Sequence, residues 1–344
     1  MKPLDFATNA PGIPVFEHKL DGPIDVWMYA CTAIFGLAPT NRKEARKDFS
    51  LASWFVDPIT IVNSKYHGMV TQHSNWHVEE SGNQIHVHRY ASGRASVETV
   101  GLPVECETGA ITLLDYSRPF TSVHTRNDCH SFFVPHSAIG YTPSDALHAP
   151  VYSAESMIGR LIGQEMDNLL NQLKNGARSI YPADVKRFLG CVAVGMSPDT
   201  ASQSARVCAR ESLKRSIRAF IEARLHDPEL SVTTVLQSFG VSRASLYRMF
   251  ETEDGVRSYI SRRRLYRAVT NLAENPLRRG QIHDVAEHWG FSSDASFNRM
   301  VRREFGVAPG ALFEAPISEP IDAPPISIVH EKMNAAARRV ATPA

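Results

Sequence analysis

Residues 230–250 read LSVTTVLQSFGVSRASLYRMF, and residues 281–301 read QIHDVAEHWGFSSDASFNRMV. In the first stretch Ser231 can cap a helix running through Val232, Val235 and Leu236 to Phe239, and Gly240 tolerates the positive φ of a tight turn. Ser242 then caps a second helix, Arg243 to Phe250. It turns Leu246, Met249 and Phe250 to one side and leaves Arg243, Ala244, Tyr247 and Arg248 largely on the other. The second stretch repeats this grammar: Ile282, Val285 and Ala286 lead to Gly290-Phe291, and Ser293 caps the helix from Asp294 to Val301. Leu246 maps onto Phe297 and Arg248 onto Arg299 with one common offset of 51 residues. A single helix, glycine turn and helix occurs in many folds, but two at a fixed offset do not arise easily by chance. The layout is that of a helix-turn-helix, in which the first helix braces and the second presents a polar face.

Between the two units, Val256 to Glu274 reads as one long helix of about 28 Å at ~1.5 Å per residue. That length is close to the ~34 Å between successive major grooves on one face of B-DNA. The net charge of +1 hides an asymmetry: residues 1–205 carry −4, residues 206–314 carry +5 and the remainder is neutral. Of the 18 cations in the central stretch 17 are arginines, whose planar fork suits phosphate oxygens and guanine edges better than the point charge of lysine. The surplus is modest and fits a solvated helical surface as well as a nucleic-acid partner.

Outward from this module, 344 residues exceed one ordinary core, so two domains are expected. Segments such as Ile59-Thr60-Ile61-Val62, Gln84 to Tyr90 and Ala110 to Leu114 are short and β-branched, with breakers at Ser81-Gly82-Asn83, Ser92-Gly93 and Thr108-Gly109. They predict a small antiparallel barrel or sandwich between residues 49 and 135. Ahead of it, an extended lead-in is expected to give way to a short helix carrying Trp27, Ile34 and Phe35 and then to the polar cluster Asn41 to Glu44. Behind it the period lengthens. Ile158, Leu161, Ile162, Met166, Leu169 and Leu173 form one helical stripe, and Val185, Phe188, Leu189, Val192 and Met196 a second. Such stripes are either intramolecular core or a dimer interface. Ser197 to Ser204 reads as linker, and the proline-bearing tail from Ala315 as mobile.

No apolar run approaches the roughly 20 residues of a membrane helix. The N-terminus lacks the order of a signal peptide, which predicts a cytoplasmic protein with no membrane partner. Five scattered cysteines argue against a disulfide framework or a paired CxxC metal site.

Taken together, Leu230-Ser231-Val232, Gly240-Val241-Ser242, Leu246, Arg248 and Phe250, then Gly290 to Ser293, Phe297, Arg299 and Arg302 to Pro309, resemble the two units of the AraC/XylS family of transcription regulators. Tyr259 to Leu265 with Ala268 and Leu272 is similar to the helix that joins them in that family. The residues Arg89-Tyr90, Glu107 to Asp115 and Ser117 to Phe120 are similar to the cupin-like ligand-binding domain found in part of it. Three positions depart from the pattern: Leu236 replaces a small residue, Val301 a phenylalanine, and Val256-Arg257 a proline-containing helix entry.

The resemblance implies an α+β chain. Its cupin-like barrel or sandwich with flanking helices (1–196) would bind effector and dimerise, followed by a linker (197–210), an all-α double helix-turn-helix domain (211–314) and the tail (315–344). It implies a sequence-specific DNA-binding regulator, an activator under small-molecule control, with promoter or operator DNA, an effector, RNA polymerase and a second copy as partners. Each monomer would read two adjacent major grooves, a site of roughly 17 to 20 base pairs. The reading residues are expected to be Arg243, Ala244, Tyr247 and Arg248 from one helix and Asp294, Ala295, Asn298 and Arg299 from the other. Arg248 and Arg299 suit a backbone role equally, and Asn298 could pair with adenine. Arg262, Arg263 and Arg264 are expected to contact phosphates, and Trp54, Tyr90 and Phe120 to stack on the effector. No enzyme activity, cofactor or metal is expected.

Two alternatives compete. His86-x-His88 puts two imidazoles on one strand face, with His67, His73, His77, His124 and His130 as further ligands of a cupin-type metal-dependent enzyme, although the expected Glu and later His are not at the required spacing. The other is a DNA-binding protein that needs no effector.

Overall fold

The computed structural model describes residues 12–20, 34–39, 50–66, 68–99, 102–125, 127–143, 149–197, 201–274, 280–291, 293–305 and 308–309. Trp27, Cys31, Asn41 to Glu44, His67 and the tail from Ala315 lie outside them. Two compact units divide the chain, Met1–Ser216 and Ile217–Ala344.

The first unit runs β1 (Ile13–Pro14), β2 (Phe16–Leu20), β3 (Gly36–Pro39), β4 (Ser50–Val56), β5 (Ile59–Tyr66), β6 (Met69–His73), α1 (Asn75–Ser81), β7 (Gln84–Ser92), β8 (Ala95–Thr99) and β9 (Leu102–Cys106). It continues with β10 (Ile111–Asp115), β11 (Phe120–His124), β12 (Asn127–Pro135), α2 (His136–Ile139), β13 (Val151–Tyr152), α3 (Met157–Lys174), β14 (Ser179–Ile180), α4 (Pro182–Met196) and the start of α5 (Gln203–Ala223). The second unit holds α6 (Val232–Phe239), α7 (Arg243–Met249), α8 (Val256–Glu274), α9 (Gln281–His288) and α10 (Asp294–Phe305).

Seven strands pair in the order β13-β10-β7-β12-β5-β4-β2, five in the order β3-β6-β11-β8-β9, and β1 with β14, all antiparallel. The period of two along each strand decides what faces what. On the seven-stranded sheet, Trp54, Val56, Ile59, Ile61, Ile85, Val87, Ile111, Leu113, Phe132 and Val134 share one apolar cluster with α3 and α4. Their alternates, among them Ser53, Val62, His86, His88, Leu114 and Ser131, face the five-stranded sheet across a cavity. Strand β10 is buried at every position because helices cover one face and the second sheet the other.

Both helical stripes lie in that cluster: Leu161, Ile162, Met166, Leu169 and Leu173 from α3, and Val185, Phe188, Val192 and Met196 from α4. They are intramolecular core, so the dimer reading of those stripes is set aside. Burying each such side chain contributes about 1.5–3 kcal/mol.

Of the short helix expected to carry Trp27, Ile34 and Phe35, only its last two residues are described, and they are not helical. Ile34 is a turn, and Gly36–Pro39 pairs with β6 at the edge of the five-stranded sheet, where a proline's missing donor is tolerated. The polar run that reads as linker is, from Gln203, the start of α5: Ser202 Oγ accepts from Ala205 N at 3.2 Å.

Candidate functional site

The first helix pair of the second unit is built by local chemistry. Ser231 Oγ accepts from Thr234 N at 3.2 Å to open α6, Gly240 closes it at φ 61°, and Ser242 Oγ accepts from Ser245 N at 3.2 Å to open α7. Val235, Phe239, Leu246, Met249 and Phe250 are buried, whereas Arg243, Ala244, Tyr247 and Arg248 are exposed. In the second pair Gly290 stands at φ 71° and Ser293 Oγ accepts from Ser296 N at 3.2 Å ahead of α10. Val285, Ala286, Phe297 and Val301 are buried with Leu265, Ala268, Val269 and Leu272 of α8. Asp294, Ala295 and Arg299 are exposed and Asn298 is half-buried.

The departures from the family pattern are absorbed locally. Leu236 is half-buried, Val301 is fully buried, and α8 begins at Val256 after Gly255 at φ 90° without needing a proline.

Among the described residues no side-chain hydrogen bond or ion pair occupies Arg243, Arg248 or Arg299, so their donors face solvent. Asp294 is engaged. Its Oδ1 lies 2.8 Å from His283 Nδ1, joining α9 to α10, and the carboxylate raises the His283 pKa above its usual value.

The three successive arginines of α8, expected to contact phosphates, are engaged within the unit. Arg262 Nη2 donates to Asp254 Oδ2 at 3.1 Å and Arg263 Nη2 to Glu222 Oε2 at 3.0 Å. Arg264 donates from Nε to the Leu225 carbonyl at 2.9 Å and from Nη2 to that of Asp227 at 2.7 Å. Its Nη1 reaches the Gly290 carbonyl at 3.4 Å. A Cβ at Gly290 would meet Arg264 Cζ at 2.9 Å, so a side chain there would have to displace the guanidinium as well as adopt a left-handed φ. More exposed cations lie elsewhere: Arg257, Arg299 and Arg303, the last sharing its guanidinium with Glu304 at 3.0 Å, line a surface hollow with Ser258, Ser261 and Ser296, an array of donors suited to phosphate oxygens.

In the first unit, the cavity between the sheets has a volume of 290 Å³. Sequence reading missed most of its wall. His86 Nδ1 lies 3.0 Å from Tyr116 Oη, and its ring stacks on Phe133 with centroids 4.6 Å apart. His88 sits 4.8 Å from His86 and 4.3 Å from Tyr90, centroid to centroid. The Nε2 atoms of both are buried and find no hydrogen-bond partner among the described residues. His124 is fully occupied, with Nδ1 2.8 Å from Tyr90 Oη and Nε2 2.8 Å from Ser122 Oγ. Burial pushes His86 down to about 3 and His124 to about 4, and holds His88 well below the usual imidazole value with help from its neighbours. The Cys129 thiol is pushed up to about 11 by burial, so it is an unreactive neutral wall group.

Of the three residues expected to stack on an effector, Phe120 lines the cavity. Tyr90 lies in the packed cluster around it and holds His124, whereas Trp54 points to the helices. Trp54 has the wrong parity: Leu51 and Ser53 are the residues of β4 that face inward.

Of the other histidines proposed as metal ligands, His73, His77 and His130 are turned to different partners. His73 places its two ring nitrogens 2.7 Å and 2.9 Å from the carbonyl oxygens of Ile34 and Tyr116. His77 Nδ1 caps Ser74, and His130 Nδ1 faces Arg89 at 3.1 Å. Among the described residues no three His, Cys, Asp or Glu side chains are placed to hold a metal ion. None of the described helices is long and apolar enough to cross a membrane.

Comparison with known proteins divides the chain in the same way. A family model described as an AraC-binding-like domain matches residues 31–184, and one described as a helix-turn-helix domain matches residues 235–315. The transcriptional activator NphR of Rhodococcus sp. is 24% identical over 242 residues, covering 67% of this chain and 70% of that protein. The regulatory protein SoxS of Escherichia coli (strain K12) is 30% identical over 105 residues, 29% of this chain and 92% of that protein. A crystal structure of the AraC-like transcriptional activator CuxR aligns over 74% of this chain and 94% of that one at 18% identity, with a TM-score of 0.45.

Proposed function

Because the chain belongs to the AraC family of helix-turn-helix regulators, we propose that it is a sequence-specific DNA-binding transcription activator, controlled by a small molecule held between its two sheets. One observation carries the reading. Two serine-capped reading helices stand at one offset of 51 residues, each with an apolar face in a core and a polar face at the surface. Arg243, Ala244, Tyr247 and Arg248 read one major groove, and Asp294, Ala295, Asn298 and Arg299 the next, with α8 as spacer. Asp294 does so while bonded to His283.

An activator of this kind recruits RNA polymerase and works in the cytoplasm. Homodimerisation is part of the proposal. The apolar stripes of α3 and α4 are buried within the chain, so pairing would use another face. The readings as a metal-dependent enzyme and as an effector-independent DNA binder lack comparable support. Among the described residues no three candidate ligands are placed to hold a metal ion, and a cavity with unpaired polar atoms is what a small-molecule site needs.

Selection of binding sequences from a random duplex library tests the reading. A single enriched motif spanning two major-groove segments is expected, and a library that remains random after repeated rounds would reject it.

A further inference from the structure

The cavity wall is made of aliphatic and aromatic carbon, hydroxyls, imidazoles, the Gln84 amide and the sulfurs of Met69 and Cys129; among the described residues no Asp, Glu, Lys or Arg lines it. An ionised ligand entering it would give up water for a surface without a counter-charge, which an isolated ion does only at large cost. The imidazoles do not supply that charge, because burial keeps His86, His88 and His124 neutral.

The wall is nevertheless incomplete. His86 is 7% exposed, its ring is fixed by Tyr116 and Phe133, and among the described residues its Nε2 has no hydrogen-bond partner, nor has the Nε2 of His88 on the same strand face. Buried polar atoms of this kind are rare and costly unless something fills them. The tautomer of His86 sets the direction of its bond to Tyr116, so its Nε2 can donate to a ligand oxygen when Tyr116 donates to Nδ1 and can accept from a ligand N–H or O–H when Nδ1 carries the proton. Size narrows the choice further: a cavity of about 150 Å³ holds benzene, and this one measures 290 Å³.

We propose that the cavity takes an uncharged molecule of one or two rings, or an alkyl chain of like volume, whose polar end group hydrogen-bonds the Nε2 atoms of His86 and His88. This rests on the reading of the first unit as a sensor and assigns the class of ligand it senses.

The test uses the full chain and matched pairs that differ in charge but hardly in shape: benzamide and benzoate, 2-naphthamide and 2-naphthoate, hexanamide and hexanoate. Binding is measured by calorimetry at pH 7.5, with thermal shift as a second readout. At least one amide should bind with a Kd tenfold or more below that of its carboxylate. His86→Phe keeps the ring on Phe133 but removes both nitrogens, and should raise that Kd roughly tenfold, the size of one lost hydrogen bond. The ranking within pairs is read on the unaltered chain, so it stands even if the variant folds poorly. A carboxylate that binds more tightly than its amide overturns the assignment and leaves a sensor of anions. An amide whose affinity is indifferent to both His86→Phe and His88→Leu also overturns it. If no member of any pair binds up to millimolar concentration, the assignment fails together with the sensor reading.

Discussion

Arg243 and Asn298 sit at equivalent faces of the two reading helices, one exposed and one half-buried, and both end in groups that can pair with base edges. Replacing either with alanine should weaken binding to the selected site by about 1 to 3 kcal/mol and relax base preference nearby. Unchanged affinity and preference in a footprinting titration would remove that residue from the interface. At the same scale, the buried imidazoles make a pH prediction. In the folded chain His86 and His124 protonate only near 3 and 4, whereas the unfolded chain protonates them near its ordinary 6.5. Below pH 6.5 the unfolded state therefore binds more protons, and stability falls as pH drops from 6.5 toward 4, by up to about 1.4 kcal/mol per unit for each such group. The urea midpoint should fall between pH 7 and pH 5, and the fall should be shallower in His86→Phe. A midpoint independent of pH would show that these rings are accessible to protons in the fold.

Elements in the second unit are held to one another by Arg264, whose guanidinium spans the carbonyls of Leu225 and Asp227 and that of Gly290. Arg264→Ala would leave those carbonyls short of donors, at about 1–3 kcal/mol. Gly290→Ala would force an L residue into the left-handed φ of 71° and push against the same guanidinium. Both should lower the melting temperature and DNA affinity together. Full stability with lost binding would instead make Arg264 a DNA contact. The salt dependence of binding sorts the remaining cations. Arg257→Ala and Arg303→Ala should each reduce the slope of log K against log salt by about one, and Arg263→Gln should leave it nearly unchanged. The reverse order would show that the pair with Glu222 opens on DNA. The helix boundaries here were legible because serine caps, left-handed glycines and a 3.6-residue period are local signals, and α8 spans the residues that its sequence predicts. The partners of Arg264 were not, since its acceptors lie 39, 37 and 26 residues away and are backbone atoms that carry no side-chain signature.

Across the whole molecule, the same division holds between what is local and what topology decides. Alternation along β7 placed His86 and His88 on one face, but which face of the sheet the helices cover follows from α3 and α4 folding back on Ile111 and Leu113. Trp54 therefore turned to the core while the imidazoles turned to the cavity. The edge strand Gly36–Pro39 escaped notice because its pairing with β6 is long-range and its residues carry little β signal. The claim on which the account depends is that two reading heads on one chain engage one stretch of duplex. Hydroxyl-radical footprinting with methylation protection on a selected site measures this directly. Protection of two major-groove segments one helical turn apart on a single face, over roughly 17 to 20 base pairs per monomer, is the predicted result. Protection of one groove alone, or uniform weak protection without sequence preference, would contradict it.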